Sequence, residues 1–315
     1  LTQPKSSLVV IHRDASAGAK PALSGEDLFW TTNCIAHSTS SRSFSSENKR
    51  DDRAEGIILD RIILTMKWGT LYSAEYVNVL YNACKAHMSV PFRFVCLTDD
   101  NTGFVDGVEA YDIPDLGLPK SAWGAGAWPK LGVFSKELYG LSGRALFIDL
   151  DTVISGDLAE MFDFAGAFVC LDSRPWRYKS GAPRTGTGIF AFDINALGAV
   201  VDRLHENMNG HLSTYENEQD FLHGEFGSLG FGDIQYWPDD WIQSFKYHLR
   251  QPLGVDRFKH PNPPSAKILC FHGIPRPIDL INPPRGNWDR FPHYGRGRVP
   301  WMVDYWVGFG GSLQD

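Results

Sequence analysis

Apolar positions along the chain follow two rhythms. Strand-length apolar runs occupy residues 57–66, 92–98, 108–113, 145–150, 167–171, 189–193 and 268–271. Between the first two, Val77, Leu80, Tyr81, Cys84 and Met88 recur at helical spacing over residues 73–88, and Ser73 stands where an N-cap belongs. Residues 130–138, 196–208 and 218–223 also fit helices. A strand–helix–strand opening predicts a parallel sheet, because parallel neighbours need a crossover. Strands and helices alternate to about residue 225, and the chain then turns Pro/Trp/Gly-rich and irregular. There is no internal repeat. These rhythms predict one α/β domain over residues 56–315. Residues 1–55 break them: the stretch HSTSSRSFSSEN at 37–48 has too little apolar surface to offset its ordering entropy, which predicts a flexible tail.

Composition narrows the class. The chain has 315 residues, 43% of them hydrophobic, enough for a large core. Net charge is -7, which is not the basic footprint of a nucleic-acid binder. The five cysteines, Cys34, Cys84, Cys96, Cys170 and Cys270, are odd in number and widely spaced. Reduced thiols and a cytoplasmic setting are expected. No signal peptide is visible, and no apolar run is long enough to cross a membrane. Residues 299–307 are aromatic enough to suggest peripheral contact with the inner face of a membrane.

Four segments could carry chemistry. In 145–151, ALFIDLD, an apolar strand runs into Asp149, Leu150 and Asp151, and carboxylates two apart on a strand converge on one side. At the carboxyl end of a strand they suit Mg²⁺ or Mn²⁺, with substrate phosphates completing the shell; the bland alternative is a turn cap and a solvated acid. In 267–273, KILCFHG, a second strand ends in His272, which alone is an ordinary structural histidine but beside two carboxylates is a natural third ligand. Gly273 would let backbone approach a phosphate. Glu218, Gln219 and Asp220 open a helix, where acids also favour the helix dipole. The glycines of 184–188, RTGTG, fit a phosphate cradle or a turn needing positive φ.

The order and spacing of these motifs resemble the GT-A glycosyltransferases, closest to glycosyltransferase family 8 and its bacterial relatives, over about residues 57–280. The resemblance implies a GT-A fold: a Rossmann-like α/β domain with a mixed, mainly parallel sheet flanked by helices. It implies transfer of a sugar from a nucleotide-sugar, a UDP-sugar in the family's habit, to a carbohydrate or glycolipid acceptor in polysaccharide or glycolipid synthesis. It implies a Mn²⁺ (or Mg²⁺) cofactor held by Asp149, Asp151 and His272, with retention of the anomeric configuration. Thr65, Lys67 and Tyr72 would meet the nucleotide, Tyr72 by stacking. Lys130, Arg276 and Gly273 would meet the diphosphate, with Asp149 and Leu150 beside it. Gln219 would lie near the anomeric carbon, with Asp220 or Glu218 orienting sugar hydroxyls. The sequence departs from the family at Thr187, at Glu218 and in the shortened segment HGIPRP, where Arg276 replaces Lys. Trp241, in WPDDWIQSFK at 237–246, and residues 287–294 would line an acceptor cleft under a lid of Arg174, Trp176 and Arg177. The rival readings are a nucleotidyltransferase making nucleotide-sugars and a non-catalytic carbohydrate-binding protein on the same fold.

Overall fold

The computed structural model describes residues 60–124, 126–176 and 184–313. The chain divides into two units, 1–55 and 56–315, of which the second is described. The tail expected at 1–55, Cys34 and Arg177 lie outside the described residues.

Among the described residues, ten strands form two sheets: β1 Arg61–Lys67, β2 Arg93–Thr98, β3 Val108–Tyr111, β4 Arg144–Ile148, β5 Thr152–Ile154, β6 Phe168–Asp172, β7 Thr185–Asp193, β8 Gln235–Tyr236, β9 Ile242–Ser244 and β10 Ile268–Cys270. The larger sheet runs β3-β2-β1-β4-β7-β6-β8 and the smaller β5-β10-β9. In the larger sheet β1, β2, β3 and β4 pair in parallel, and β7 runs antiparallel to both its neighbours. The helices are α1 Ala74–His87, α2 Lys120–Gly124, α3 Ala159–Asp163, α4 Ala199–Glu206, α5 Met208–Thr214, α6 Glu218–Glu225, α7 Pro277–Ile281 and α8 Pro300–Gly308. The α/β class and mainly parallel sheet expected from the apolar rhythm are observed.

Both faces of the larger sheet are covered, which explains why its strands read as continuous apolar runs rather than alternating ones. In β1, Ile63 packs into one core with Val77, Leu80 and Trp306, while Ile62 and Leu64 face a second core built around Phe134, Phe147 and Phe190. Rings of Phe168, Phe190 and Phe192 surround Phe134 at 5.9, 5.7 and 5.0 Å. Cys84, Cys96, Cys170 and Cys270 are buried and unbridged, as expected of reduced thiols.

Three local expectations need correction. The helix expected over 130–138 is instead a 3₁₀ segment, Trp128–Phe134, followed by a single turn, Leu138–Gly140. Proline at the first turn, as Pro129 stands here, is tolerated in a helix; what disfavours a continuous α-helix is Gly132, together with the left-handed Glu137 (φ 58°) and Tyr139 (φ 50°) that interrupt it before the last turn. The glycines of 184–188 form no positive-φ turn, because β7 begins at Thr185. A Cβ on Gly186 would lie 2.2 Å from Leu171 Cδ1, so glycine is needed there for close packing at the register shift between β6 and β7. Beyond residue 225 the chain is more regular than its composition suggests: it carries β8, β9 and β10, each only two or three residues long, and the helices α7 and α8. The aromatic stretch of 299–307 is largely α8, whose Met302 and Trp306 are buried in the core.

Candidate active site

The segment after β4 joins the two sheets. Asp149 N–H donates to Gly188 O of β7 at 2.9 Å, and Phe271 N–H, just past β10, donates to Asp151 O at 3.2 Å. Just past the end of β4, in a turn before β5, Leu150 is buried in the apolar core while Asp149 and Asp151 line the cleft. The larger sheet thereby delivers Asp149 and Asp151 to the cleft, and the smaller sheet delivers His272. The three line one cleft of about 440 Å³ together with Lys130, Glu218, Gln219, Thr187, Trp176 and Gly273.

Lys130 holds this site together. Its Nζ lies 2.8 Å from Asp149 Oδ1 and 3.5 Å from Glu218 Oε1, and it donates to Thr187 O at 3.1 Å. Burial would lower its ammonium, but Asp149 and Glu218 outweigh that and hold it above its ordinary value. Glu218 is buried at the start of α6 and accepts a 2.6 Å bond from Thr187 Oγ1. Burial raises its carboxyl, with Lys130 opposing. Thr187 thereby satisfies one oxygen of the buried Glu218 carboxylate.

Asp151 accepts a 3.0 Å hydrogen bond from Tyr72 Oη. Burial first, and the neighbouring Asp149 charge second, push its carboxyl up to about 7. Asp149 is also raised by burial, against the pull of Lys130. Two crowded carboxylates beside one ammonium leave a place where a divalent cation is electrostatically favoured, so the donor chemistry fits such an ion. His272 Nε2 is 2.7 Å from Ser244 Oγ, and its ring lies flat against Trp176, centroids 6.1 Å apart and 9° between planes. Its nitrogens do not close on both acids: among the described residues, the acid–histidine group whose donor atoms all lie within 4.8 Å of one another is Asp256, Asp289 and His293.

The remaining expected residues separate into two sets. Gln219 lines the cleft and accepts a 3.2 Å bond from Thr187 N–H, whereas Asp220, half-buried on the same helix, does not line it. Gly273 lines it with φ +70°, the left-handed region where a side chain would be strained. Arg276 stands before α7 with its guanidinium 6.0 Å from the Tyr72 ring centre. Tyr72 itself packs edge-on to Tyr76 at 4.8 Å. Thr65 is fully buried and donates to Ile148 O at 2.7 Å, and buried Lys67 donates to Asp100 O at 3.1 Å. Neither lines the cleft. Trp241 packs against Phe164 and under Lys267 Nζ. The neighbouring hollow of about 220 Å³ is lined instead by Trp176, Trp237, Tyr247 and His248. Sequence reading missed Thr187 and Ser244 as partners of Glu218 and His272, because a lone hydroxyl in a strand carries no pattern.

No family model matches the chain, and no curated protein matches it. Among solved structures, the chain is similar to galactosyltransferase LgtC in complex with donor and acceptor sugar analogues: 14% identity, TM-score 0.49, 81% of this chain and 96% of that one. It is also similar to the apo-form glycosyltransferase GlyE of Streptococcus pneumoniae TIGR4, at 16% identity and TM-score 0.49, over 79% of this chain and 62% of that one. A third is the bifunctional glycosyltransferase WbbM, at 12% identity and TM-score 0.47, over 81% of this chain and 50% of that one.

Proposed function

We propose that the cleft binds a nucleoside diphosphate sugar with a divalent cation and transfers the sugar to an acceptor hydroxyl. The observation that carries this reading is the pair Asp149 and Asp151 at the junction of two sheets, crowded enough that Asp151 is pushed up to about 7, with Lys130 as a buried cation beside them. A dication bound there, Mn²⁺ or Mg²⁺, would stabilise the negative charge that grows on the departing diphosphate. Asp149 and Asp151 would hold it, with His272 as third ligand after a shift of its ring. Lys130 fixes Asp149 and opposes the burial that raises its carboxyl, and Glu218 and Thr187 lock Lys130 in turn. Gln219, its carbonyl held by Thr187 N–H, orients its amide for the sugar. Arg276 and Gly273 would face the phosphates. Trp176 and the adjoining aromatic hollow fit an acceptor sugar ring, since aromatic faces stack on carbohydrate. The family resemblance adds a UDP donor, retention, and a role in polysaccharide or glycolipid assembly.

The test is a thermal-shift panel of nucleotide-sugars with and without Mn²⁺. A metal-dependent rise in Tm with one UDP-sugar is expected, together with its loss in Asp151→Ala. Transfer by Asp151→Ala at wild-type rate in the presence of chelator would overturn the scheme. NMR of the first-formed product tests retention, and an inverted anomer would defeat it.

A further inference from the structure

A second convergence of donor atoms lies in two loops that contribute nothing to the cleft. One follows β9 and carries Arg250 and Asp256; the other follows α7 and carries Asp289 and His293. Asp256 is fully buried, and its Oδ1 accepts from Gln251 N–H at 3.1 Å. Asp289 is 6% exposed, and its Oδ1 accepts from Arg290 N–H at 2.8 Å. That leaves Asp256 Oδ2, Asp289 Oδ2 and His293 Nδ1, each shielded from solvent and each without a hydrogen bond. These groups offer donor atoms that all lie within 4.8 Å of one another, with His293 Nδ1 and Asp256 Oδ2 at 3.4 Å.

A buried polar atom without a partner costs roughly 1–3 kcal/mol. Three such atoms around one point call for a single partner shared by all. Arg250 supplies part of it: its Nη2 is 2.8 Å from Asp289 Oδ2, an ion pair without hydrogen-bond alignment. One guanidinium against two buried carboxylates leaves a negative charge that a neutral water would not compensate. We propose that Asp256, Asp289 and His293 bind a structural divalent transition-metal ion, separate from the cleft, that pins the two loops together. Two carboxylate oxygens and one imidazole nitrogen are a donor set suited to Zn²⁺. A tetrahedral Zn²⁺ with bonds of about 2.0 Å needs ligand atoms about 3.3 Å apart, a separation the Asp256–His293 pair already meets. Asp289 would close the rest by rotating its carboxylate away from Arg250.

The experiment loads the full chain with Zn²⁺, desalts it and measures retained zinc by elemental mass spectrometry. Asp151→Asn, which disables the cleft's own cation site, is compared with Asp151→Asn/Asp256→Asn and Asp151→Asn/His293→Ala, each checked for folding by circular dichroism. Asp151→Asn should keep about one equivalent, while the two double variants lose it. Chelator should lower the Tm of Asp151→Asn by several degrees, about the linkage expected of a bound ion, and leave Asp151→Asn/His293→Ala unmoved. His293 is half-buried on a loop, so its variant answers even where the Asp256→Asn change prevents folding. Zinc absent from folded Asp151→Asn, or retained equally by folded Asp151→Asn/His293→Ala, overturns the proposal and means that a proton on His293 or a water closes the cluster. Either outcome leaves the reading of the cleft untouched.

Discussion

Asp151 shows how one residue can weaken a fold in exchange for a site. Its carboxyl titrates near 7 in the folded chain against an ordinary value of 3.8. Between those values the folded state binds more protons than the unfolded one, so stability without metal falls as pH rises through this window. Chelated Asp151→Asn should therefore be more stable than wild type at about pH 8, by about 2 kcal/mol once partial solvent screening is allowed for, and equal to it near pH 4. Urea denaturation at the two pH values checks this; a wild type as stable as the variant at the higher pH would contradict the crowding. At this scale the acids were legible from the sequence because they end an apolar strand. The bond between Thr187 and Glu218 was not, because 31 residues separate its partners and neither type is unusual where it stands.

At the scale of elements, legibility followed length. The strands β1, β2 and β4 and the second half of β7, from Ile189, were recognisable because burial on both faces demands an unbroken apolar run, whereas residues 185–188 read as a loop because their glycines break that run. The small sheet was largely invisible, since two or three residues show no period, and only β10 stood out through the apolar run before His272. In α8 the residues that suggested a membrane surface divide: Trp306 is 2% exposed and meets Tyr76 edge-on at 5.0 Å, one shell from Tyr72 and Asp151, while Val307 is 48% exposed. Trp306→Ala should cost about 3–5 kcal/mol by thermal or chemical unfolding, the range for truncating a buried aromatic. A change below about 1 kcal/mol would mean that α8 is dispensable to the core.

For the whole molecule, the cleft exists because two sheets meet at one peptide segment. The larger sheet contributes Asp149 and, through β7, Thr187; the smaller contributes His272; and Phe271 N–H ties them through Asp151 O. A ligand that bridges the two should stiffen both sides at once. Hydrogen exchange with Mn²⁺ and a bound nucleotide-sugar should show slowed amides in residues 149–151 and 270–273 together. Protection confined to one of these segments would place the ligand elsewhere. No helix among the described residues is long and apolar enough to cross a membrane. The sheet order could not have been read from the chain, because the position of β7 between β4 and β6 depends on which faces fit, and Gly186 opposite Leu171 is visible as a requirement only after folding.

The indole of Trp176 lying parallel to the His272 imidazole gives the protein a built-in optical gauge. Indole emission is sensitive to the charge and polarity of whatever touches its face, and a ring that turns to grip an ion must part from its neighbour. Titrating Mn²⁺ should therefore change the emission of wild type, and the change should vanish in Trp176→Phe against the signal of the other nine tryptophans.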